Sequence, residues 1–426
     1  MLLRFGVTNF LSMSAPVEIS LVATRLKGPE AGLFPIRGTD LSALPSALIY
    51  GANASGKTNF LKSFKFMRWA VLNSHVHGNP MGGVPRESFQ LNDQMQSQPS
   101  VLESDFIVDG IRYHYGFKCD DDAFLSEWLY AYPHNRRLLM FERSGDKVRF
   151  GSHFKGAKHT VAELMRSNSL FLSTATQNGH KELTKIFAFF RQSTISLNVM
   201  LENESVNKSF RKDQIDVRVF QFLKQIGTGV EGYRQIEFEL SEAEKSLRNV
   251  VNAKLREEFG EKFGGEVSDS SRGKSYRIEF EHKTSTGDSL YFGLERLSLG
   301  TRRLLLLLNM VFRALDQGSL LLIDEIDAGL HTLAAGQLIQ LFSDKRTNPN
   351  GAQMIAATHD PNLLNAPCLR RDQIWFCEKD NGGSTDVFPL SDIKSRTTDD
   401  FQQGYLQGRY GAIPFSGDLS SLVGAK

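Results

Sequence analysis

The stretch Leu48-Ile-Tyr-Gly-Ala-Asn-Ala-Ser-Gly-Lys-Thr-Asn59 decides the fold of this chain. Its first three residues read as the end of a buried strand, and residues 51–58 fit the phosphate-loop pattern G-x-x-x-x-G-K-[ST]. From Asn59 onward the apolar residues recur at helical spacing. Because strand, glycine loop and helix are the context that this motif requires, the sequence predicts an α/β fold that binds a nucleoside triphosphate.

The fixed positions of the loop each have a physical reason. Gly51 and Gly56 permit a tight turn and a close approach of the backbone to phosphate, and the N–H groups between them face the anion. Lys57 adds a positive charge at the β- and γ-phosphates, and Thr58 offers a hydroxyl to Mg²⁺. ATP and Mg²⁺ are therefore the expected ligands, and the expected contacts are Gly51, Asn53, Ala54, Ser55, Gly56, Lys57, Thr58 and Asn59.

Further polar candidates follow apolar runs or lie in a loop. The run Leu320-Leu-Leu-Ile-Asp-Glu325 ends in two acids, of which Asp324 is predicted to hold Mg²⁺ through water and Glu325 to act as the general base. His359 follows the next apolar strand and is predicted to donate a hydrogen bond to the γ-phosphate or the attacking water, although a lone His more often serves packing. Gln90, in a loop joining two lobes, is a candidate ligand of Mg²⁺.

A second motif, Leu297-Ser-Leu-Gly-Thr301, precedes the apolar helix that contains Leu304. The hydroxyl of Ser298 and the N–H of Gly300 would form an anion-binding helix N-terminus, although an ordinary N-cap has the same composition. Nothing in the same chain places this motif at the phosphates. The order of phosphate loop, Ser-x-Gly motif, acid pair and His therefore predicts an ATP site that a second copy completes, and hence a homodimer or a higher homo-oligomer.

The composition is that of an ordinary globular protein. The 426 residues carry a net charge of +2, so any basic surface must be local. Three cysteines without a C-x-x-C pair argue against a disulfide framework or a zinc site and favour a cytoplasmic protein. The longest apolar run is far shorter than the roughly 20 residues of a membrane span, so no direct membrane contact is expected.

The pattern of elements divides the chain into four predicted parts. Residues 1–157 read as an ATPase lobe with the phosphate loop and antiparallel strands, and residues 158–265 as a helical insertion. Residues 266–400 read as a second ATPase lobe with a mostly parallel sheet, and residues 401–426 as a tail. Within the insertion, Ala243–Phe259 is a charged amphipathic helix without the heptads of a long coiled coil.

Basic residues gather in two groups, which could meet nucleic-acid phosphates or an acidic partner. Solvated charge is the alternative, and the sequence favours it because aromatic residues for base stacking are sparse there. The first group is Arg136, Arg137, Arg143, Lys147, Arg149, Lys155 and Lys158, and the second is Lys208, Arg211, Lys212, Arg218 and Lys224. Glu378-Lys-Asp380 is also predicted to be surface charge.

The chain resembles the ATP-binding-cassette ATPases of the branch that includes SMC, Rad50 and RecF proteins and the ATPase half of OLD-type nucleases. The similarity lies in Val7-Thr-Asn-Phe-Leu-Ser12, in Asn53 and Asn59, and in Asp324-Glu-Ile-Asp-Ala-Gly-Leu-His331. It implies Mg²⁺-dependent ATP hydrolysis and places Asp327 in a loop across a dimer interface. Residues 298–301 read Ser-Leu-Gly-Thr where Ser-Gly-Gly-Gln is the stronger form of the motif.

Residues 401–414 resemble the tail of prokaryotic abortive-infection ATPases of the RloA/AbiL type, with the PARIS defence ATPase as a related protein. The resemblance implies a sensor or clamp in antiphage defence that acts with a separately encoded, nuclease-like effector. The main alternative is a RecF-like repair ATPase that binds DNA directly. A transporter ATPase subunit fits the same motifs but not the large insertion, and a scaffold that only binds ATP does not need Glu325.

Overall fold

The computed structural model describes residues 1–197, 215–239, 274–394 and 399–413, with single positions at 242, 246, 250 and 254. Most of the predicted helix Ala243–Phe259 lies outside these residues, as do Lys208, Arg211 and Lys212 of the second basic group. The chain divides into two units, one made of Met1–Asn198 with Arg313–Lys426 and the other of Val199–Phe312. No helix in the described ranges is long and apolar enough to cross a membrane.

The first unit contains a seven-stranded antiparallel sheet. Its strands are β1 (Leu2–Thr8), β2 (Val17–Ser20), β6 (Ser100–Val108), β7 (Ile111–Cys119), β8 (Phe124–Tyr132), β9 (Leu138–Ser144) and β10 (Lys147–Phe150). They lie in the order β10-β9-β8-β7-β6-β1-β2. Along β8 the burial alternates, so one face of the sheet packs on the core and the other meets solvent. A short pair, β3 (Phe34–Pro35) and β4 (Ser42–Ala43), completes the antiparallel part of this unit.

A second, mostly parallel sheet of six strands positions the candidate site. Its strands are β5 (Ser46–Tyr50), β11 (Thr194–Ser196), β15 (Leu320–Ile323), β16 (Gln353–Thr358), β17 (Ile374–Lys379) and β18 (Thr385–Pro389). The order is β11-β15-β16-β5-β17-β18, in which β17 and β18 pair antiparallel and the other neighbours pair parallel. Because β5, β15 and β16 are adjacent or nearly so and run in one direction, the residues that follow them meet at one edge. This is the α/β ATPase fold that the sequence predicts.

Helix α1 (Lys57–Asn73) connects the two sheets through one continuous core. The Phe5 ring of β1 packs edge-on against Phe60 and Phe64, with ring centroids 5.5 and 5.1 Å apart. The same cluster of buried residues continues into Ile49 of β5 and Leu322 of β15. The other helices of this unit are α2 (Asp93–Ser97), α3 (Lys158–Glu163), α4 (Phe171–Gln177), α5 (Lys181–Gln192), α8 (Thr332–Ser343) and α9 (Phe401–Leu406). Helix α6 (Val217–Gln225) belongs to the second unit. The boundary between the units falls within α7 (Leu299–Gln317).

The second unit, described by itself, is not wholly helical. It contains α6 and a three-stranded antiparallel sheet of β12 (Gly232–Glu239), β13 (Lys274–Lys283) and β14 (Ser289–Gly293). Strand β12 therefore falls inside the segment predicted as a helical insertion. Its last four residues, Ile236-Glu-Phe-Glu239, alternate apolar and charged side chains, which is the period of a strand, and β12 pairs with β13 along its length.

The predicted start of the insertion at residue 158 also differs from the division that the structure shows. Helices α3, α4 and α5 belong to the first unit. The Phe189 ring of α5 stacks on Phe106 of β6 with centroids 4.4 Å apart, and Phe190 meets Phe64 of α1 at 6.4 Å. Long-range aromatic packing, which leaves no local signal in the sequence, therefore keeps residues 158–192 in the ATPase core.

Buried Gln353 joins the antiparallel and parallel parts of the first unit. Its Oε1 accepts the N–H of Leu2 at 2.6 Å, and its Nε2 donates to the carbonyls of Leu2 and Leu44 at 3.0 and 2.9 Å. Replacing it with Leu would leave these backbone groups without a partner in the core, so we expect a loss of about 2–3 kcal/mol of unfolding free energy. Urea denaturation measures it, with exposed Gln340→Leu as the control; equal midpoints for the two variants would contradict the expectation.

Candidate nucleotide-binding site

The phosphate loop connects β5 to α1, as predicted, and its two glycines lie against the β17–β18 hairpin. Gly56 has φ 115°, and a Cβ at this position would collide with the Thr385 side chain. A Cβ on Gly51 would lie 2.5 Å from the carbonyl oxygen of Cys377. The glycines are therefore needed for packing beneath the loop as well as for the close approach of a phosphate above it.

A chain of hydroxyl and amide groups supports the loop from below. Thr385 Oγ1 donates to the carbonyl of Ser55 at 2.8 Å and lies 2.8 Å from Ser12 Oγ, which accepts from Asn59 Nδ2 at 2.9 Å. Asn59, predicted to contact the nucleotide, thus ties α1 to the segment after β1. Sequence reasoning missed Thr385, which belongs to no motif, and gave no role at the loop to Ser12, the last residue of the Val7–Ser12 stretch. Both residues are distant from the loop in the chain.

Lys57 is held over the loop by the loop itself. Its Nζ donates to the carbonyls of Gly51 and Ala52 at 2.7 and 2.8 Å, and the residue is buried. Burial lowers the pKa of Lys57, while the charges of Asp324, Asp327 and Glu325 act in the opposite direction. The ammonium group is therefore already fixed where a triphosphate would meet the loop.

Thr58 and Asp324, far apart in sequence, meet at the end of the parallel sheet. Thr58 Oγ1 donates to Asp324 Oδ2 at 2.8 Å, and Asp324 is 3% exposed. The Asp324 N–H donates to the carbonyl of Ser196 at 2.9 Å, which ties the end of β15 to β11. A hydroxyl beside a buried carboxylate supplies the hard oxygen ligands that Mg²⁺ prefers, so these residues fit the predicted ion.

The acidic loop after β15 is bound to the end of β16. The Ile326 N–H donates to the carbonyl of Ala357 at 2.9 Å, and the Asp327 carboxylate accepts the N–H of His359 at 3.2 and 3.3 Å. Glu325, half-buried, has φ 52°, a strained value for a residue with a side chain. The structure thus brings Asp324, Glu325, Asp327 and His359 together with the phosphate loop at one sheet edge.

His359 is in an environment that favours its neutral form. Burial lowers the pKa of His359, and the Lys57 charge lowers it further, against the opposing effect of the Asp327, Glu325 and Asp324 carboxylates. A neutral imidazole has one N–H to donate and one nitrogen to accept. This matches the predicted hydrogen bond to a γ-phosphate or a water molecule.

Gln90 is not brought to the acidic loop. Its side chain is exposed, and Nε2 donates to the backbone and side-chain oxygens of Ser88 at 3.0 Å each. Within the described residues no hydrogen bond joins Gln90 to Thr58 or Asp324. Its role as a Mg²⁺ ligand stays a prediction that needs the loop after Ser88 to move.

The Ser-x-Gly motif begins helix α7, as predicted, in the second unit. Ser298 Oγ accepts the N–H of Thr301 at 3.1 Å, which is the geometry of an N-cap. Leu299 between Ser298 and Gly300 is 64% exposed, so the motif presents an apolar side chain to solvent. A role for Ser298 and Gly300 at the phosphates of another copy stays a prediction.

The structure changes the interpretation of the first basic group. Arg143 is 2% exposed and donates to the carbonyls of Gly145, Ser167 and Ser169, so it serves the fold and not a partner. Around it, aromatic residues are more frequent than the sequence suggested. Strand β8 places Trp128, Tyr130 and Tyr132 on the solvent face, beside a cavity of 430 Å³ that Trp128, Tyr130, Lys147 and Arg149 help to line.

The second basic group is described only in part. Arg218 pairs with Asp216 and Lys224 with Glu231 at 2.5 Å each, so both cations are engaged locally. Glu378 is also more than surface charge, because it accepts the N–H of Ala412 in the tail. Tails that return to the core leave no local pattern from which this contact could be predicted.

A family model matches most of the chain. Residues 46–365, about three quarters of the chain, match the family described as "AAA domain, putative AbiEii toxin, Type IV TA system". No curated protein is similar enough to match. Among solved structures, the Smc head domain with an extended coiled coil bound to the C-terminal domain of ScpA from Pyrococcus furiosus matches at 13% identity and a TM-score of 0.38, covering 92% of this chain and 99% of that chain.

Proposed function

The chain belongs to this family of AAA domains, and we propose that it hydrolyses ATP with Mg²⁺ while two copies close around the nucleotide. The observation that carries the proposal is the hydrogen bond from Thr58 to Asp324 at 2.8 Å. It places the hydroxyl of the phosphate loop against the acid of the β15 strand end, directly beside Glu325. The family match supports an ATPase, and the Thr58–Asp324 pair supports Mg²⁺ as its metal ion.

Each residue of the site has a separate role in the proposed hydrolysis. The N–H groups of residues 51–58 and the Lys57 ammonium would hold the triphosphate. Thr58 and Asp324 would hold Mg²⁺, which would supply charge stabilisation to the phosphate oxygens. Glu325 accepts a proton from the water whose oxygen attacks the γ-phosphorus, and ADP leaves. Neutral His359 donates a hydrogen bond to the γ-phosphate or to that water.

The proposed dimer completes each site with groups from the second copy. Ser298 and Gly300 of that copy cap the γ-phosphate through the N-terminus of α7, and Asp327 faces the interface. Because ATP then contacts both copies, its binding energy stabilises the dimer, and hydrolysis releases it. The exposed Leu299 supports this role, since an apolar side chain beside the motif is suited to burial in an interface.

We assign this clamp to a prokaryotic antiphage system of the abortive-infection kind, as in RloA/AbiL and PARIS-like ATPases. The resemblance of residues 401–414 to those ATPases supports the assignment, and so does the description of the matched family, which names a type IV toxin–antitoxin system. In this function the chain is a cytoplasmic sensor. It controls a nuclease-like effector encoded by another gene.

The defence role is tested in cells that carry the gene together with its natural neighbours. We expect wild-type cells to reduce phage plaque counts at least about a hundredfold, and Glu325→Gln to remove the protection, because a switch that cannot reset cannot signal. Plaque assays on both strains measure it. Arg346→Ala is the control, since this exposed side chain pairs only with nearby Asp344 among the described residues. Wild-type plaque counts no lower than those of cells without the gene would contradict the defence role, and equal protection by wild type and Glu325→Gln would contradict the need for hydrolysis.

A RecF-like ATPase that binds DNA directly is the second candidate, and one observation favours it. The guanidinium of Arg137 lies 3.8 Å from the Tyr130 ring centroid and that of Arg112 lies 4.5 Å from the Tyr132 centroid, on the solvent face of β8. Aromatic and cationic groups together are suited to nucleic acid. ATP-dependent DNA retention that disappears when Arg136, Arg137, Arg149 and Lys155 are neutralised would select this candidate over the effector-linked clamp.

A further inference from the structure

The C-terminal tail, residues 399–413, folds back onto the ATPase core. Helix α9 begins after Asp400, whose carboxylate accepts the N–H of Gln403 at 3.0 Å. With only six residues, α9 is too short to be stable alone. Packing against the ATPase core must therefore stabilise α9, and Tyr405 and Tyr410 are both buried.

The first target of the tail is the strand that leads into the phosphate loop. The Tyr405 ring packs edge-on against Tyr50 with centroids 5.8 Å apart, and it stacks on Phe376 at 5.7 Å. Tyr410 stacks on Phe376 at 5.6 Å. Tyr50 immediately precedes Gly51 and is fully buried, so the tail packs against the residue that sets where the loop begins.

The Tyr50 hydroxyl shows that this position is set by ring packing. It is buried and has no hydrogen-bond partner among the residues that the structure describes. Burial raises the pKa of Tyr50, and the charges of Asp360 and Asp327 raise it further. An unpaired buried hydroxyl is unfavourable, and the aromatic contacts with Tyr405 and Phe376 must offset that cost.

The second target of the tail is the turn Pro361–Asn365, which begins two residues after His359. Asn365 Nδ2 donates to Asp400 at 2.8 Å, and Gln402 Nε2 donates to Asn362 Oδ1 at 2.8 Å. Asp360 caps this turn and also accepts a hydrogen bond from Thr332. A shift of α9 would therefore reach His359 through two side-chain hydrogen bonds and a short turn.

Two contacts fasten the end of the tail. Glu378, at the end of β17, accepts the N–H of Ala412, and Tyr405 Oη donates to the carbonyl of the same residue at 3.0 Å. We name Glu378, Tyr405 and Ala412 the latch. Glu378 of the latch lies on β17, the strand next to β5. The preceding residue, Cys377, packs against Gly51 of the phosphate loop.

We propose that the docked tail positions the phosphate loop and His359 for ATP hydrolysis, with Tyr405 and Glu378 as positioning residues. The proposal rests on the proposed ATPase function. Because coupling between two sites is reciprocal, nucleotide binding in turn stabilises the docked tail. A partner that captures the tail would then lower hydrolysis without touching ATP.

The kinetic test compares matched variants of the latch. Glu378→Ala removes the acceptor for Ala412, whereas Glu378→Gln retains one; we expect kcat to fall about five- to tenfold for the first and less than about twofold for the second, with KM for ATP little changed. Tyr405→Ala and Tyr405→Phe form a second pair, in which we expect kcat to fall more for the Ala variant than for the Phe variant. Leu406→Ala, on the exposed side of α9, is the control and should match wild type.

Hydrogen exchange gives an independent readout on the full chain. A non-hydrolysable ATP analogue is expected to slow amide exchange in residues 400–412 of the wild type and not of Lys57→Ala, and Glu378→Ala should exchange faster there. Unchanged kcat in Glu378→Ala and Tyr405→Ala, with faster tail exchange, would overturn the proposal. An amide-exchange rate in residues 400–412 that is the same with and without the analogue would also overturn it. Wild-type phosphate release no greater than that of Glu325→Gln would instead refute the ATPase function, and the exchange experiment would still test the tail. If Tyr405→Ala fails to fold, the Glu378 pair decides.

Discussion

Replacing Glu325 by Gln is expected to lower the rate of phosphate release at least about a hundredfold, because an amide cannot accept the proton of the attacking water. The other two acids of the loop have defined tasks, since Asp324 accepts from Thr58 and Asp327 from the His359 N–H. Glu325 lies between them in the sequence, after the same strand, and it is half-buried with a positive φ. Steady-state phosphate release measures the effect.

The same variant should still form the ATP-dependent dimer, which hydrolysis dissociates in the wild type. The introduced amide has nearly the size of the native carboxylate and leaves the phosphate loop, Lys57 and Ser298 unchanged, so ATP should still bind and hold two copies together. Light scattering after gel filtration with ATP should therefore show a longer-lived dimer than in the wild type. Glu163→Gln, at an exposed position at the end of α3, is the matched control for the chemical change. Phosphate release at the wild-type rate would remove Glu325 from the role of base.

The sequence was sufficient for the part of the site that strands carry. A phosphate loop between β5 and α1 and acids after β15 have local signals, and parallel strands bring their carboxyl ends to one edge. The meeting of Thr58 with Asp324 therefore follows from motif and fold class together. His359 at the end of β16 follows by the same reasoning.

The rest of the site depends on contacts that have no local pattern. Thr385 beneath Gly56, and Tyr405 beside Tyr50, join positions from opposite ends of the chain, and neither pair carries a spacing rule. The same reason explains why the start of the insertion differed: Phe189 packs on Phe106, which no periodicity within α5 reveals. The face of β8 was missed because its three aromatics alternate with buried residues and become neighbours of Arg112 and Arg137 only in the sheet.

Replacing Lys57 by Ala is expected to weaken ATP binding about a hundredfold, since a hydrogen bond from a charged donor to phosphate contributes about 1.5–3 kcal/mol. The structure strengthens this expectation in one respect. Lys57 Nζ already bridges the carbonyls of Gly51 and Ala52, so its loss removes a support of the loop as well as a positive charge. Titration calorimetry with ATP and Mg²⁺ measures the affinity.

Lys65→Ala is the matched control, because Lys65 lies on the solvent face of the same helix α1. The Lys57 variant should also show no ATP-dependent dimer, in contrast to Glu325→Gln, which should dimerise without hydrolysing. The two variants thereby separate binding from chemistry: one loses both association and phosphate release, the other only release. If Lys57→Ala bound ATP as tightly as Lys65→Ala, residues 51–58 would not be the triphosphate site, and the clamp would have no ligand to close on.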